Sequence, residues 1–340
     1  MKSQLLEIRR PIESELARYA TLFEKVLSHK ESFMDKPLSH VRAKKGKLMR
    51  PILVLLMAKE WGEVGETALH SAVTLELLHT ASLVHDDVVD ESNERRGQPS
   101  LHKVYDNKVA VLLGDYMLAL SLHQAALTQQ VEIVEEVAKL GATLSEGEIL
   151  QLANVEREEL SEEAYFAIIR NKTSALFSAC GKLGAMAQDA DGEYCRKAAK
   201  FGEIVGLSFQ IRDDIFDYFD DASIGKPRGN DMREGKLTLP VIYAINHSGD
   251  VAARELALKV KRFEATAEDI AQLIEFTKEN GGIEYARQTM ESLRAEAVNL
   301  VSGFRNVVMA AYVSQTQYFK LVANYFSKLF ELIFVVGCKN

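Results

Sequence analysis

The chain has 340 residues, 47% of them hydrophobic, and a net charge of −8. That is enough apolar material for a large core in one domain or two, and the acidic balance excludes general nucleic-acid binding, which needs a basic surface. An anionic ligand would instead need a local basic patch or a metal. With six prolines, abundant Ala, Leu, Glu and Lys, and apolar residues recurring at three and four spacing, the chain is predicted to be almost wholly helical. Cys180, Cys195 and Cys338 are odd in number and lack metal-ligand spacing, which fits a reducing cytosol. Met1 is followed by charged sequence without a signal-peptide pattern, and no uncharged apolar run of about 18 residues exists, so a cytoplasmic location is expected.

Residues 1 to about 30 read as an amphipathic helix, with Leu5, Leu6, Ile8, Ile12, Leu16, Tyr19, Leu22, Phe23 and Val26 on one face. Residues 42–50 then hold Arg42, Lys44, Lys45, Lys47 and Arg50, with Gly46 among them and Pro51 set for the first turn of the next helix. Backbone N–H groups at that helix start, flanked by Lys47 and Arg50, would make an anion site; read alone, the stretch is also a plain solvated turn. An apolar helix over 53–61 is broken by Gly62 and Gly65, and a long helix follows through 69–89. Residues 91–102 are polar and loop-like and carry Arg95 and Arg96. Further helices are predicted over 110–123, 141–154, 165–188 and 197–219, with Lys172 and Thr173 near the start of the third. The loop over 225–240 mixes Gly225, Lys226, Gly229, Gly235 and Lys236 with acids. No internal repeat and no long polar linker divides the chain, so residues 1–340 are expected to form a single domain.

The long helix ends in an unusual run. Asp86, Asp87 and Asp90 lie within five residues of otherwise apolar sequence. On a helix Asp90 is about 40° from Asp86, with Asp87 about 100° round, so all three share one wedge. His79, seven residues earlier, lies about 20° from Asp86 on the same face; a buried structural histidine is the common reading of such a residue. Carboxylates crowded against a core repel unless cations neutralise them, and hard oxygen ligands suit Mg²⁺. A lone cluster of this kind is as readily a solvated helix end. Here Asp213, Asp214 and Asp217 repeat the spacing within another apolar stretch. Two such wedges facing each other would bind several Mg²⁺ ions and, through them, a diphosphate.

With these residues laid out, the chain resembles the trans-isoprenyl (polyprenyl) diphosphate synthase family, from about Lys45 to Pro240. Residues 45–51 resemble a basic Gly-Gly-Lys-Arg-x-Arg-Pro signature, with Lys45 and Leu48 departing from its first Gly and first Arg. Residues 75–90 and 209–217 resemble the two aspartate-rich motifs. Arg95-Arg96-Gly97-Gln98-Pro99, Gly225-Lys226-Pro227 and Glu234 to Pro240 match as well. From Ser302 the chain departs from the polar family ending. Residues 318–336 are strongly apolar, yet Lys320, Lys328 and Glu331 make them a poor membrane span, so a packing helix or a membrane-surface contact for product release is expected.

The resemblance implies an all-α helical bundle around a central active-site cavity, usually a homodimer. It implies head-to-tail condensation of isopentenyl diphosphate with an allylic diphosphate, dependent on Mg²⁺, three ions with substrate bound. Asp86, Asp90 and Asp213 would be the principal metal ligands, with Asp87, Asp214 and Asp217 further or water-mediated ones. Arg95, Lys172, Lys226 and Lys236 would hold the allylic diphosphate, and Lys47, Arg50, His79 and Arg96 the isopentenyl diphosphate. Thr173 and Gln210 would face the carbocation. No general base is evident, which leaves the departing pyrophosphate as proton acceptor. A terpene cyclase would lack the Lys47/Arg50 site, and a non-catalytic subunit would have lost aspartates. Four and five residues before Asp86, roughly 6–7.5 Å down the helix, Ser82 and Ala81 are small, whereas an aromatic there gives short products in the family. The tail can therefore pass down the helix, which points to a long chain of about six or more isoprene units, of the kind used for a quinone side chain. A farnesyl- or geranylgeranyl-length product is the alternative, and Leu118 and Leu122 are the candidate floor.

Overall fold

The computed structural model describes residues 8–43, 46–95, 97–219 and 228–302. After a short 3₁₀ turn (Arg10–Ile12) come α1 (Glu13–Val26), α2 (Ser32–Ala43), α3 (Met49–Trp61) and α4 (Glu66–Val89). A two-stranded ribbon, β1 (Glu94–Arg95) with β2 (Gln98–Pro99), leads into α5 (Leu101–Tyr105), α6 (Asn107–Leu127) and α7 (Val131–Glu156). α8 (Glu162–Ile169) runs through a wide π-helical turn (Arg170–Ser174) into α9 (Ala175–Met186), followed by α10 (Gly192–Phe216) and the one-turn α11 (Asn230–Arg233). α12 (Leu239–Ser248), α13 (Val251–Lys261), α14 (Ala267–Glu279) and α15 (Gly282–Ser302) complete it. The fold class is all-α, as the composition and periodicity lead one to expect.

Two helices are apolar all round and therefore central. α3 buries every residue from Ile52 to Ala58, and α4 buries Ala68, Leu69, Ala72, Val73, Leu75, Leu77, Leu78, Ala81 and Val84. α6 lies along α4, and α9 lies along both α10 and α3. The α9–α10 crossing is close because a Cβ on Gly181 would sit 2.1 Å from the Ala198 carbonyl oxygen, and one on Gly202 2.1 Å from that of Phe177. Any side chain there would push the helices apart. One hydrophobic cluster runs from Ile8 to Ala297 through these elements.

Several predicted boundaries move, each for a local reason. α10 starts at Gly192 rather than 197, because the Asp191 side chain caps it by accepting the Tyr194 N–H. α7 starts ten residues before the predicted 141, where Val131, Ile133, Val134, Val137 and Leu140 already recur at helical spacing and Ile133, Val137 and Leu140 pack into the core. The predicted helix over 165–188 is interrupted where the Ala175 N–H reaches five residues back to the Arg170 carbonyl. The stretch taken for a loop holds the ribbon, in register Glu94 to Pro99 and Arg95 to Gln98, and the start of α5. Gly97 turns the ribbon at φ 72°. The apolar segment over 318–336 lies outside the described residues. Among the described residues only α6 is long and apolar enough to cross a membrane, and it packs along α4 instead.

Candidate active site

Both aspartate wedges sit at the same kind of place. Asp86 and Asp87 lie in the last turn of α4 with Asp90 as its C-terminal cap residue, and Asp213 and Asp214 lie in the last turn of α10 with Asp217 as its cap. A helix C-terminus carries the negative end of the backbone dipole, where carboxylates are disfavoured and cations favoured. Six acids placed at two such ends are an arrangement that cations relieve.

In the first wedge Asp86 is half-buried. Burial pushes its carboxyl up to about 6; the negative charge of Glu148 on α7 and that of Asp90 add to this, while Lys172 and Arg95 oppose it. Lys172 donates to Glu148 at 2.7 Å, so acid, acid and ammonium form one cluster across α4, α7 and the π-helical turn. Asp87 is buried and accepts Nε of Arg95 at 2.6 Å, which ties the ribbon to the end of α4. Asp90 is exposed.

The second wedge uses its acids differently. Asp213 is exposed and held by the neighbouring Arg212 at 2.5 Å. Asp214 is buried; Tyr165 donates to it at 2.5 Å and Gln210 at 2.8 Å, and Gln210 in turn accepts from Thr173 at 2.9 Å. Burial, with the charge of Asp231 behind it, drives the Asp214 carboxyl well above the usual range despite those donors. Asp217 accepts the backbone N–H groups of Asn230 at 2.9 Å and Asp231 at 3.1 Å, so it captures the start of α11. That places Lys236 near the first wedge. Burial opposes its charge, but its 2.6 Å bond to Glu234 and the charges of Asp90 and Asp231 outweigh this and raise its pKa.

The basic residues expected around one diphosphate do not all point one way. Lys47 is exposed and within electrostatic reach of Arg212 and Asp213. Arg50 lies over the Phe177 ring at 5.2 Å and acts on the buried Cys180. His79 is half-buried, on Asp86's side of α4. Arg96 and Lys226 lie outside the described residues. Glu148, Asp231, Tyr165 and Arg212 were not singled out from sequence. Only Arg212 left a signal there, a charge in an apolar run directly before the wedge.

Ala81 and Ser82 separate as well. Thr74 and Ser121 exchange hydrogen bonds, and a Cβ on Gly114 would strike the His85 ring, so the stripe Thr74, Leu78, Ala81 and His85 faces α6. Ala81 is thus fully buried in a helix contact, while Ser82 is half-buried on Asp86's side. Leu118 is packed against the core, but Leu122 is 49% exposed and cannot be a floor within this chain.

Among the described residues no three Asp, Glu, His or Cys side chains form a metal site by themselves. The donor set nevertheless fits a hard divalent cation, because Asp86 is a carboxylate strained by burial and by the Glu148 charge, a strain a cation removes. Such an all-α bundle, with acids on two helix ends and lysines and arginines around them, suits an enzyme that handles an anionic substrate with the help of a divalent cation.

Comparison with known proteins narrows this. Residues 31–277 match the polyprenyl synthetase family. The all-trans-nonaprenyl-diphosphate synthase (geranyl-diphosphate specific) of Rhodobacter capsulatus is 36% identical over 85% of this chain and 89% of its own. The heptaprenyl diphosphate synthase component 2 of Geobacillus stearothermophilus is 33% identical over 86% and 90%. Among solved structures, a geranylgeranyl pyrophosphate synthase from Bacteroides thetaiotaomicron is 43% identical over 98% and 99%, with a TM-score of 0.83. A Caulobacter crescentus polyprenyl synthase complexed with calcium and isoprenyl diphosphate is 27% identical over 97% of each chain, with a TM-score of 0.85. The chain belongs to the polyprenyl synthetase family and is a prenyltransferase with the all-α isoprenoid synthase fold. The family works on isoprenoid diphosphates and uses a divalent metal.

Proposed function

We propose that this protein condenses isopentenyl diphosphate head-to-tail with an allylic diphosphate, in the presence of Mg²⁺, to give a long all-trans polyprenyl diphosphate. The observation that carries the reading is the pair of acid wedges at the C-termini of α4 and α10, with Lys172 and Lys236 beside them. Asp86, Asp90 and Asp213 would hold Mg²⁺, three ions with substrate bound. When bound, the metal supplies the charge that draws the pyrophosphate off the allylic carbon. Lys172 and Lys236 neutralise the leaving group, as Arg95 and Lys226 are expected to do. Thr173 and Gln210 are joined to each other and to Asp214, so their dipoles are fixed before the carbocation forms. Lys47, with Arg50, His79 and Arg96, would orient the isopentenyl diphosphate, whose proton leaves to the departed pyrophosphate.

Long-chain output rests on small Ser82 below Asp86 and on the heptaprenyl and nonaprenyl names of the relatives. A twenty-carbon product is the second reading, favoured by the name of the 43% identical structure. Incubation with isopentenyl diphosphate and farnesyl diphosphate, dephosphorylation and reverse-phase analysis separate the two. Products longer than geranylgeranyl diphosphate are expected. Arrest at twenty refutes the long chain. Ser82→Phe should shorten the product without stopping the first condensation.

We take residues 1–340 as one synthase domain acting in the cytoplasm. Leu112 and Leu122 on α6 and Ile149 and Leu152 on α7 are exposed apolar side chains that a homodimer contact would cover. Sedimentation should give twice the monomer mass. The component name of one relative makes a second, different chain the outcome to exclude.

A further inference from the structure

Arg212 is a buried cation that the mechanism above does not use. It is 7% exposed. Nε and Nη2 donate to the same oxygen, Oδ1 of Asp213, at 3.0 and 2.5 Å. The guanidinium lies 4.4 Å from the ring centroid of Phe209 and 5.7 Å from that of Phe216, residues three before and four after it on one face of α10. Stacking on two rings fixes a planar guanidinium in a way an ammonium cannot match. Nη1 has no acceptor among the described residues. Lys47 is the cation nearest in effect, since Arg212 and Asp213 both act on its charge.

Lys47, Arg212 and Asp213 together carry one net positive charge. A guanidinium already engaged by a carboxylate on one edge and held flat by rings presents its other edge in a fixed direction. That is the geometry for charge-assisted hydrogen bonding to a phosphate oxygen. Arg50, the expected companion of Lys47, is turned over Phe177 toward Cys180, and Leu48 stands where the family signature has a further arginine. Among the described residues Arg212 is thus a further cation beside Lys47 on this side.

We propose that Arg212 is a binding residue for the diphosphate of the homoallylic substrate, acting with Lys47 through its Nη1 edge. The inference rests on the reading that this substrate is isopentenyl diphosphate.

The test is steady-state kinetics of full-length R212Q and R212K with saturating Mg²⁺, farnesyl diphosphate as allylic substrate, and isopentenyl diphosphate varied, then the converse. In R212Q the isopentenyl KM should rise about tenfold, as expected for one charge-assisted hydrogen bond, with the farnesyl KM and Mg²⁺ half-saturation within about twofold. R212K should recover part of the loss. Calorimetric titration of isopentenyl diphosphate in EDTA should show the same weakening without metal. An unmoved isopentenyl KM overturns the inference, whether Mg²⁺ half-saturation rises (Arg212 then only orients Asp213) or only the melting temperature falls (it then only packs between the phenylalanines). Should R212Q fail to fold, an unmoved isopentenyl KM in R212K overturns it equally. Wild-type enzyme that neither binds nor consumes isopentenyl diphosphate overturns the functional reading as well; wild-type turnover with an unmoved variant overturns this inference alone.

Discussion

The wedge ending α4 and the wedge ending α10 have the same spacing and the same place on a helix, yet their acids do different things. Each buries its second aspartate. Asp87 meets a cation, Arg95, while Asp214 meets the neutral donors Tyr165 and Gln210 and is pushed toward its protonated form. Their third aspartates diverge further, with Asp90 open to solvent and Asp217 occupied by the start of α11. Even the first acids differ: Asp86 is half-buried beside a second carboxylate, and Asp213 is exposed and held by an arginine. Spacing places a carboxylate at a helix end, but the neighbours decide whether it stays open, is tied into a hydrogen-bonded frame or is driven toward its protonated form.

The largest expected effect is shared by the two regions. Asp86→Ala and Asp213→Ala should each lower kcat by about a thousandfold or more, as loss of a principal electrostatic element does, with little change in melting temperature. EDTA should abolish turnover and Mg²⁺ restore it. Activity that survives in one variant alone would show that only the other wedge binds the essential metal.

The buried acids should then part company in folding stability measured without metal. Asp87→Asn leaves Arg95 without its partner and should cost about 2 kcal/mol, reduced from the cost of a fully buried pair because Arg95 is partly exposed. Asp214→Asn keeps an acceptor for Gln210 at a site where burial already favours the neutral form, and should stay within about 0.5 kcal/mol, since the Tyr165 hydroxyl can reverse to accept. Equal losses in chemical denaturation would break the contrast.

Acidity sharpens the difference between the first acids. The Asp86 carboxyl is pushed up to about 6, so below that pH it holds a proton that metal must displace. Mg²⁺ half-saturation should therefore rise about tenfold per pH unit below 6 and level off above it. In Glu148→Gln the break should move to lower pH, because one of the charges raising Asp86 is gone. A break that stays put would remove Glu148 from the cluster.

The smallest effect concerns the last acids. Asp217→Ala gives up two bonds to the backbone N–H groups that open α11 and should cost about 1 kcal/mol, as loss of a helix cap does. Asp90→Ala should stay within about 0.5 kcal/mol, as exposed substitutions do. Thermal melts of the two proteins side by side would show whether Asp217 is the one tied into a hydrogen-bonded frame.

Much of the site was legible in the order of residues, because it depends on chemistry that type and spacing carry. Apolar residues at three and four spacing dictate helices, and carboxylates clustered at apolar helix ends call for cations near some of them. The basic stretch around Lys47 and the polar run holding Arg95 were visible as charge against apolar background. What residue order could not decide is which groups share a space. Ala81 and Ser82 are adjacent and equally small, and only the packing of α6 against Thr74, Leu78 and His85 turns one into a helix contact and leaves the other on the side of Asp86. Glu148 is one of many glutamates on a long helix until α7 brings it to Asp86 and Lys172. Local pattern sets what a residue is able to do; pairing in three dimensions is long-range, and the burial and partners it creates set what each residue does.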